Sequence, residues 1–359
     1  MTTTATASLI PHGDEVVALA QAIERAADVP ALVRLAPHVR QATAAFLDLE
    51  TGAGVVSQLL SRLTDQLSMR AIGLVERRHR LPAAPWCWLA MGSEGRFEQT
   101  FATDQDNGLV FSAADPGEAD ELRRWFVAFA GEVNAVLAEC GFPLCAGGIM
   151  AGNPQWCLSL PEWRRHFTTW IHTPEPAALL NATIFFDLRG LYGDRSLAET
   201  LRGYLQALAP PAAGFLRMLA GNALGVAPPL GTLRDFAFDD AHPGCIDLKK
   251  HGARLFVDAA RVLALAAGVA AVNTPARLRA AQPVLRLAAD DTDSAVGAFR
   301  CLQRIRLLAQ DRAMNAGAAA DNLVDPDTLN RFDRRLLMES LKQARRLQNL
   351  LRHAFHIEG

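Results

Sequence analysis

Between residues 89 and 111 the chain reads Leu-Ala-Met-Gly-Ser-Glu-Gly-Arg-Phe-Glu-Gln-Thr-Phe-Ala-Thr-Asp-Gln-Asp-Asn-Gly-Leu-Val-Phe, and no other stretch limits the fold as tightly. The apolar run from Trp86 to Met91 predicts a buried strand. It ends at Gly92-Ser93, where small residues let backbone N–H groups approach an anion. A second strand then opens with Asp104 and Asp106. In extended chain, positions i and i+2 share a face, so the two carboxylates stand side by side with Gln105 turned away. Like charges that close repel unless a cation sits between them. Hard oxygen ligands facing a glycine-serine phosphate cradle suit Mg²⁺ that also holds nucleotide phosphates. An isolated Asp-x-Asp is common in turns, and its coupling to the Gly-Ser turn one short connection upstream gives it meaning.

Bulk properties narrow the class without naming the chemistry. With 359 residues, half of them hydrophobic, the chain can build two or three packed units with real cores. A formal net charge of −2 argues against bulk electrostatic binding to nucleic acid or to a membrane surface. Six cysteines (Cys87, Cys140, Cys145, Cys157, Cys245, Cys301) are scattered without a C-x-x-C, so neither a disulfide framework nor a zinc site is expected. Met1 to His12 lacks the basic start and apolar core of a signal peptide, and Val262 to Val272 is too short to span a bilayer. The expected location is cytoplasmic.

Residues up to about Ser8 read as a disordered leader, and helical spacing of apolar residues then predicts helices over 14–27, 30–46 and 54–80. Strands are expected at 86–91 and 105–111, a long helix from Pro116 to Gly141, and a third strand from Pro143 to Gly148. Further helices are expected at 161–170, within 174–191, at 194–208 and 211–224, from Asp247 to Ala267, from Thr274, over 293–313 and over 327–355. The fold class is therefore α+β. A small sheet domain (81–172) is flanked by an N-terminal helical segment (1–80) and a C-terminal helical bundle (173–359).

Gly92-Ser93 followed by Asp104-x-Asp106 resembles the G-S…D-x-D signature of DNA polymerase β-type nucleotidyltransferases. The longer wording resembles a bacterial family related to the N-terminal domain of protein-PII uridylyltransferase, whose members often carry cystathionine-β-synthase-type or cyclic-nucleotide sensor domains. The likeness continues through Cys145-Ala-Gly-Gly-Ile-Met-Ala-Gly-Asn-Pro154, Phe186-Asp-Leu-Arg189 with Gly193-Asp194, and Ile246-Asp-Leu-Lys249, covering about residues 60 to 350. It implies transfer of a nucleoside monophosphate from a nucleoside triphosphate to an acceptor hydroxyl, in PII modification a protein side chain. Asp104 and Asp106 would be the catalytic carboxylates and hold two Mg²⁺ ions, with Mn²⁺ as a substitute. Gly92, Ser93, Gly95, Arg96, Lys249 and Arg254 would bind the nucleotide. The expected partners are a nucleoside triphosphate and a protein acceptor or regulatory partner, with neither membrane nor nucleic acid among them.

The chain departs from that family at two places. Polymerase β-type enzymes present a third carboxylate from a later strand, but the segment Pro143 to Gly148 has no acid. Glu162, the nearest downstream, follows Pro161 where a helix cap is the simpler role. There is also no His-Asp dipeptide, so the phosphohydrolase half of protein-PII uridylyltransferases has no counterpart here. Two alternatives stay open: a nucleotide-binding regulatory module impaired in catalysis, and a small-molecule nucleotidyltransferase of the aminoglycoside-modifying type. Asp187, Arg189 and Asp194 are expected within and just after a helix, as an ion pair that orients the bundle.

Overall fold

Trp86-Cys87-Trp88-Leu89-Ala90 is uncharged and buried at every position, as suits a strand covered on both faces. In the computed structural model of the chain, which describes residues 13–47, 53–231, 235–238 and 240–357, it is an inner strand of a four-stranded sheet. The expected leader lies outside the described residues. In chain order the main elements are α1 (Gly13–Arg25), α2 (Val29–Ala44), α3 (Ala53–Glu76), β1 (Trp86–Ala90), α4 (Gly92–Gly95), β2 (Asn107–Phe111), α5 (Pro116–Glu139), β3 (Cys157–Ser159), α6 (Leu160–His172), α7 (Pro176–Phe185), β4 (Arg189–Gly193), α8 (Arg195–Leu208), α9 (Ala213–Leu224), β5 (Ile246–Asp247), α10 (Arg254–Ala267), α11 (Thr274–Leu285), α12 (Ala289–Asn315), β6 (Leu323–Val324) and α13 (Arg331–Ala354). The α+β class is as the sequence predicts. Two units emerge, one made of Met1–Gln99, Thr103–Arg165 and Asp187–Leu201, the other of Thr100–Ala102, His166–Phe186 and Arg202–Gly359.

The first unit holds the sheet, in the order β3-β2-β1-β4. Both neighbours of β1 run antiparallel to it, and β3 runs parallel to β2. Asp115 caps α5 by accepting the Glu118 N–H at 2.9 Å. The helix then packs Phe126 and Phe129 on Trp86 and Phe126 on Phe111, with ring centroids 5.2–6.0 Å apart. Burying a side chain of this kind contributes about 1.5–3 kcal/mol. This aromatic cluster therefore fixes the outer end of β1, while its other end carries the Gly-Ser turn.

Two sequence expectations fail in this unit. Pro143 to Gly148 is not a strand, because Pro143 and Gly148, the latter at φ +68°, favour a turn. The segment still runs beside the aspartates, since Gln105 N–H donates to the Pro143 carbonyl at 3.0 Å and Asn107 N–H to that of Ile149 at 3.2 Å. The third strand is Cys157–Ser159 instead. A helix lies within 174–191 as expected, at Pro176–Phe185, but Asp187 and Arg189 fall beyond it and not in it, and Arg189–Gly193 pairs with β1 as a fourth strand. Gly190 and Gly193 weaken a helix there, and pairing with a buried strand outweighs what propensity remains. Asp187 and Arg189 consequently serve the sheet, not the bundle.

The second unit includes α9 to α13. Its central helix is α10, buried at every position from Leu255 to Leu265, including the ion pair Arg261–Asp258 at 2.6 Å. Asp247 caps the chain before it as expected, its Oδ1 accepting the N–H groups of Lys249 and Lys250 at 2.9 Å. The turn that follows, Lys249–Ala253, is of the wider π type. Among the described residues no helix is long and apolar enough to cross a membrane.

Candidate active site

The antiparallel register of β1 and β2 sets Ala90 opposite Asn107, and Met91 N–H continues the pairing to the Asp106 carbonyl at 2.9 Å. Asp106 is therefore held across from the residue that precedes Gly92. At Gly92 the chain enters the left-handed region (φ +55°) and winds into the single turn of α4. The opening N–H groups of a helical turn have no intrahelical acceptor, and here they belong to Gly92, Ser93 and Glu94. A Cβ on Gly92 would lie 2.6 Å from Asp106 Oδ2, so turn and carboxylate are in direct contact.

The alternation predicted for Asp104-Gln105-Asp106 is present. Gln105 is buried and donates through Nε2 to the carbonyls of Asn134 and Phe142 at 3.0 and 2.9 Å. Both aspartates stay partly exposed. Gly92→Ala should leave a folded protein, because left-handed backbone costs an alanine about 1–2 kcal/mol. Its methyl group must displace the Asp106 carboxylate, however. The expected result is a native circular dichroism spectrum with metal-dependent triphosphate binding weakened at least about tenfold; unchanged binding by calorimetry would separate the turn from the ligand site.

Behind the turn two arginines are consumed by carboxylates. Arg96 is buried and donates to Glu98 Oε2 at 2.7 Å and to Asp187 Oδ2 at 2.6 Å. The Arg96–Glu98 pair is therefore a buried one. Arg189 donates to Asp65 Oδ1 at 2.5 Å and to the Glu94 carbonyl at 3.1 and 3.2 Å, and it lies 3.9 Å over the Phe97 ring. Gly95 packs so tightly that a Cβ would meet the Asp187 carbonyl oxygen at 1.8 Å. Strand β4 and its approach thus brace the turn from behind. Sequence reasoning did not single out Asp65, which sits on a helical stripe of buried polar residues (Ser57, Ser61, Asp65, Ser68) in α3. That stripe was its only signal.

Glu94 is buried, and desolvation, with the charges of Asp65 and Asp106 adding to it against Arg189, pushes its pKa up to about 8. The fold therefore prefers the protonated acid. Because the folded value lies above the ordinary 4.5, this contribution to stability is full below about pH 4.5 and is lost as pH rises through 8. In chelator, wild-type stability should fall by on the order of a few kcal/mol across that window relative to Glu94→Gln. Parallel melting curves for the two proteins from pH 5 to 9 would overturn this assignment.

No acid lies on β3, whose residues are Cys157, Leu158 and Ser159. Glu162 acts as a cap: its Oε2 accepts the Ser159 N–H at 2.8 Å and hydroxyl at 2.7 Å, and Arg123 pairs with its Oε1 at 2.5 Å. Burial opposes its charge, but the bonds from Ser159 and Arg123 hold its pKa below the ordinary value. What does join Asp104 and Asp106 is Cys145, the donor atoms of all three lying within 4.8 Å of one another. In sequence its only signal is its place at the start of the stretch 145–154.

The remaining expected residues, Lys249 and Arg254, belong to the second unit. Lys249 is exposed. Arg254 Nε donates to Asp258 Oδ2 at 3.1 Å.

Two family models match the chain. The one described as "Putative nucleotidyltransferase DUF294" covers residues 37–177, and the one described as "Putative nucleotidyltransferase substrate binding domain" covers residues 213–355. No curated protein matches the chain.

Proposed function

We propose that the chain, which matches two models described as putative nucleotidyltransferase domains, moves a nucleoside monophosphate from a nucleoside triphosphate to an acceptor hydroxyl with the aid of a divalent metal. One observation carries the proposal: the Gly92 turn lies against the Asp106 carboxylate, 2.6 Å from where a Cβ would stand. Phosphate-binding amides and metal-binding oxygens thus share one small space.

The donor set fits a metal ion. Two carboxylates with donor atoms within 4.8 Å stand within a few tenths of an ångström of the roughly 4.2 Å that two opposed metal–oxygen bonds of about 2.0–2.1 Å span, a difference that a small side-chain rotation closes. Asp104 and Asp106 are the residues that would hold it, and a second ion of the same kind. Mg²⁺ is the ion in this reading and Mn²⁺ a substitute; bound, it neutralises triphosphate charge and lowers the pKa of the attacking hydroxyl. Gly92 and Ser93 hold the β- and γ-phosphates through backbone N–H groups and the serine hydroxyl. The acceptor hydroxyl gives its proton to solvent as its oxygen bonds to the α-phosphorus, the bridging bond to the β-phosphate breaks, and pyrophosphate leaves with that electron pair. The resemblance to protein-PII uridylyltransferases favours a protein hydroxyl as acceptor.

Arg96 and Gly95 take a different part from the direct nucleotide contact expected of them. A guanidinium already matched to two carboxylates offers little net charge to a phosphate, and a glycine in contact with the Asp187 carbonyl is there for close packing. Both position the turn. The second reading, nucleotide binding without turnover, draws on Glu162 being spent as a cap and on β3 carrying no acid.

Pyrophosphate release and protein labelling with each of the four nucleoside triphosphates, with and without Mg²⁺, decide between them. Metal-dependent release is the expected result. Metal-dependent binding without release would favour the regulatory reading, and no binding would end both. Lys249→Ala checks the remaining expectation. A charge-assisted phosphate contact should cost triphosphate affinity about ten- to a hundredfold and monophosphate much less. Equal effects on both ligands would leave Lys249 out of the site.

A further inference from the structure

We infer that Cys145 is a further ligand of the metal site formed by Asp104 and Asp106, so that the site binds thiophilic divalent cations through sulfur in addition to the Mg²⁺ that the two carboxylates can hold. The inference rests on the proposed function above, in that it needs the two aspartates to bind metal. Three facts support it. The sulfur stands with both carboxylates inside one sphere of donor atoms, all within 4.8 Å of each other.

Second, the loop that carries the thiol is built to stay there. Its two ends are hydrogen bonded to Gln105 and Asn107, on either side of Asp106. Gly148 N–H donates to the Cys145 carbonyl at 2.9 Å, and Asn153 Nδ2 to the Gly148 carbonyl at 2.9 Å, closing the turn. Beneath it, buried Asn107 and Asn134 accept the N–H groups of Ala151 and Gly152 at 2.8 and 2.9 Å. Such bracing keeps a ligand in place before the metal arrives. Third, Cys145 is only partly buried, whereas Cys87, Cys140 and Cys157 are buried.

Thiolate is a soft donor that Mg²⁺ disfavours and that Zn²⁺, Cd²⁺ and Co²⁺ favour. Coordination replaces the S–H proton, which leaves to solvent, so binding of these ions releases a proton that Mg²⁺ binding does not.

The test uses the full chain, stripped of metal and titrated with Co²⁺ while calorimetry records binding and absorption records sulfur ligation. Wild type should bind Co²⁺ and develop a thiolate-to-metal charge-transfer band in the near ultraviolet. Cys145→Ser and Cys145→Ala should lose the band and bind Cd²⁺ at least about tenfold more weakly, with Mg²⁺ affinity unchanged. Asp104→Asn, which leaves the thiol intact, should lose the band as well. Binding of Co²⁺ without a band in wild type, or a band that survives both cysteine variants, would overturn the role of Cys145 and leave the aspartate site standing. Absence of any Co²⁺ or Mg²⁺ binding by calorimetry would overturn the aspartate site too. Should one cysteine variant misfold, the other and Asp104→Asn give the answer.

Discussion

Asp106→Asn should lower metal-dependent nucleotidyl transfer by on the order of a hundred- to a thousandfold, with no loss of the folded state. The carboxylate is partly exposed and stands at the mouth of the turn, so an isosteric amide disturbs no core packing. It removes one of two charges that bring a cation between turn and strand. The backbone that holds residue 106, its carbonyl bonded to Met91 N–H at 2.9 Å, is the same in the variant. Asp104→Asn should behave alike, and calorimetry with Mg²⁺ and triphosphate reads both. Retention of wild-type transfer in the two variants would remove the aspartate pair from the chemistry.

The second large effect falls on stability. Gly95→Ala should cost about 4 kcal/mol or more, in the range reserved for a steric conflict that the fold cannot absorb. The added methyl carbon would stand 1.8 Å from the Asp187 carbonyl oxygen and 2.9 Å from that of Ala90. Both obstacles are main chain, so no side-chain rotation relieves them. Either α4 lifts from β1 or the approach to β4 is pushed away, breaking the Arg96–Asp187 pair at 2.6 Å. Denaturant unfolding of wild type and variant checks the number; a cost below about 1 kcal/mol would show that β4 gives way freely.

The part of the site that lies in one stretch of chain was legible beforehand. Period-two alternation around Gln105 and the glycine at position 92 are local signals, and both mean in three dimensions what they mean in sequence. The parts that depend on pairing were not. Arg189–Gly193, with two glycines and only Leu191 and Tyr192 to bury, is a weak local signal for any element, and the open edge of β1 selects the strand. Cys145 reaches the aspartates through a turn that Pro143 and Gly148 shape, where a simple rule of alternation reads a strand. Asp65 lies 124 positions before its partner Arg189, and a polar residue on a mostly apolar helix does not announce what it will meet.

Strand β4 also governs when the site can exist at all. The first family match ends at residue 177, ahead of Asp187, Arg189 and the whole of Arg189–Gly193. During synthesis, everything that names the chemistry, from Gly92 to Cys145, leaves the ribosome with one side of β1 still bare and both arginine clusters short of a member. An unpaired inner strand of that kind is a hazard for wrong pairing. Residues His166–Phe186, which the chain must complete first, belong to the other unit. A protease cut or a cloning boundary placed at the end of the recognisable motif therefore isolates a signature without its scaffold, and a single cut cannot separate the two units into intact halves.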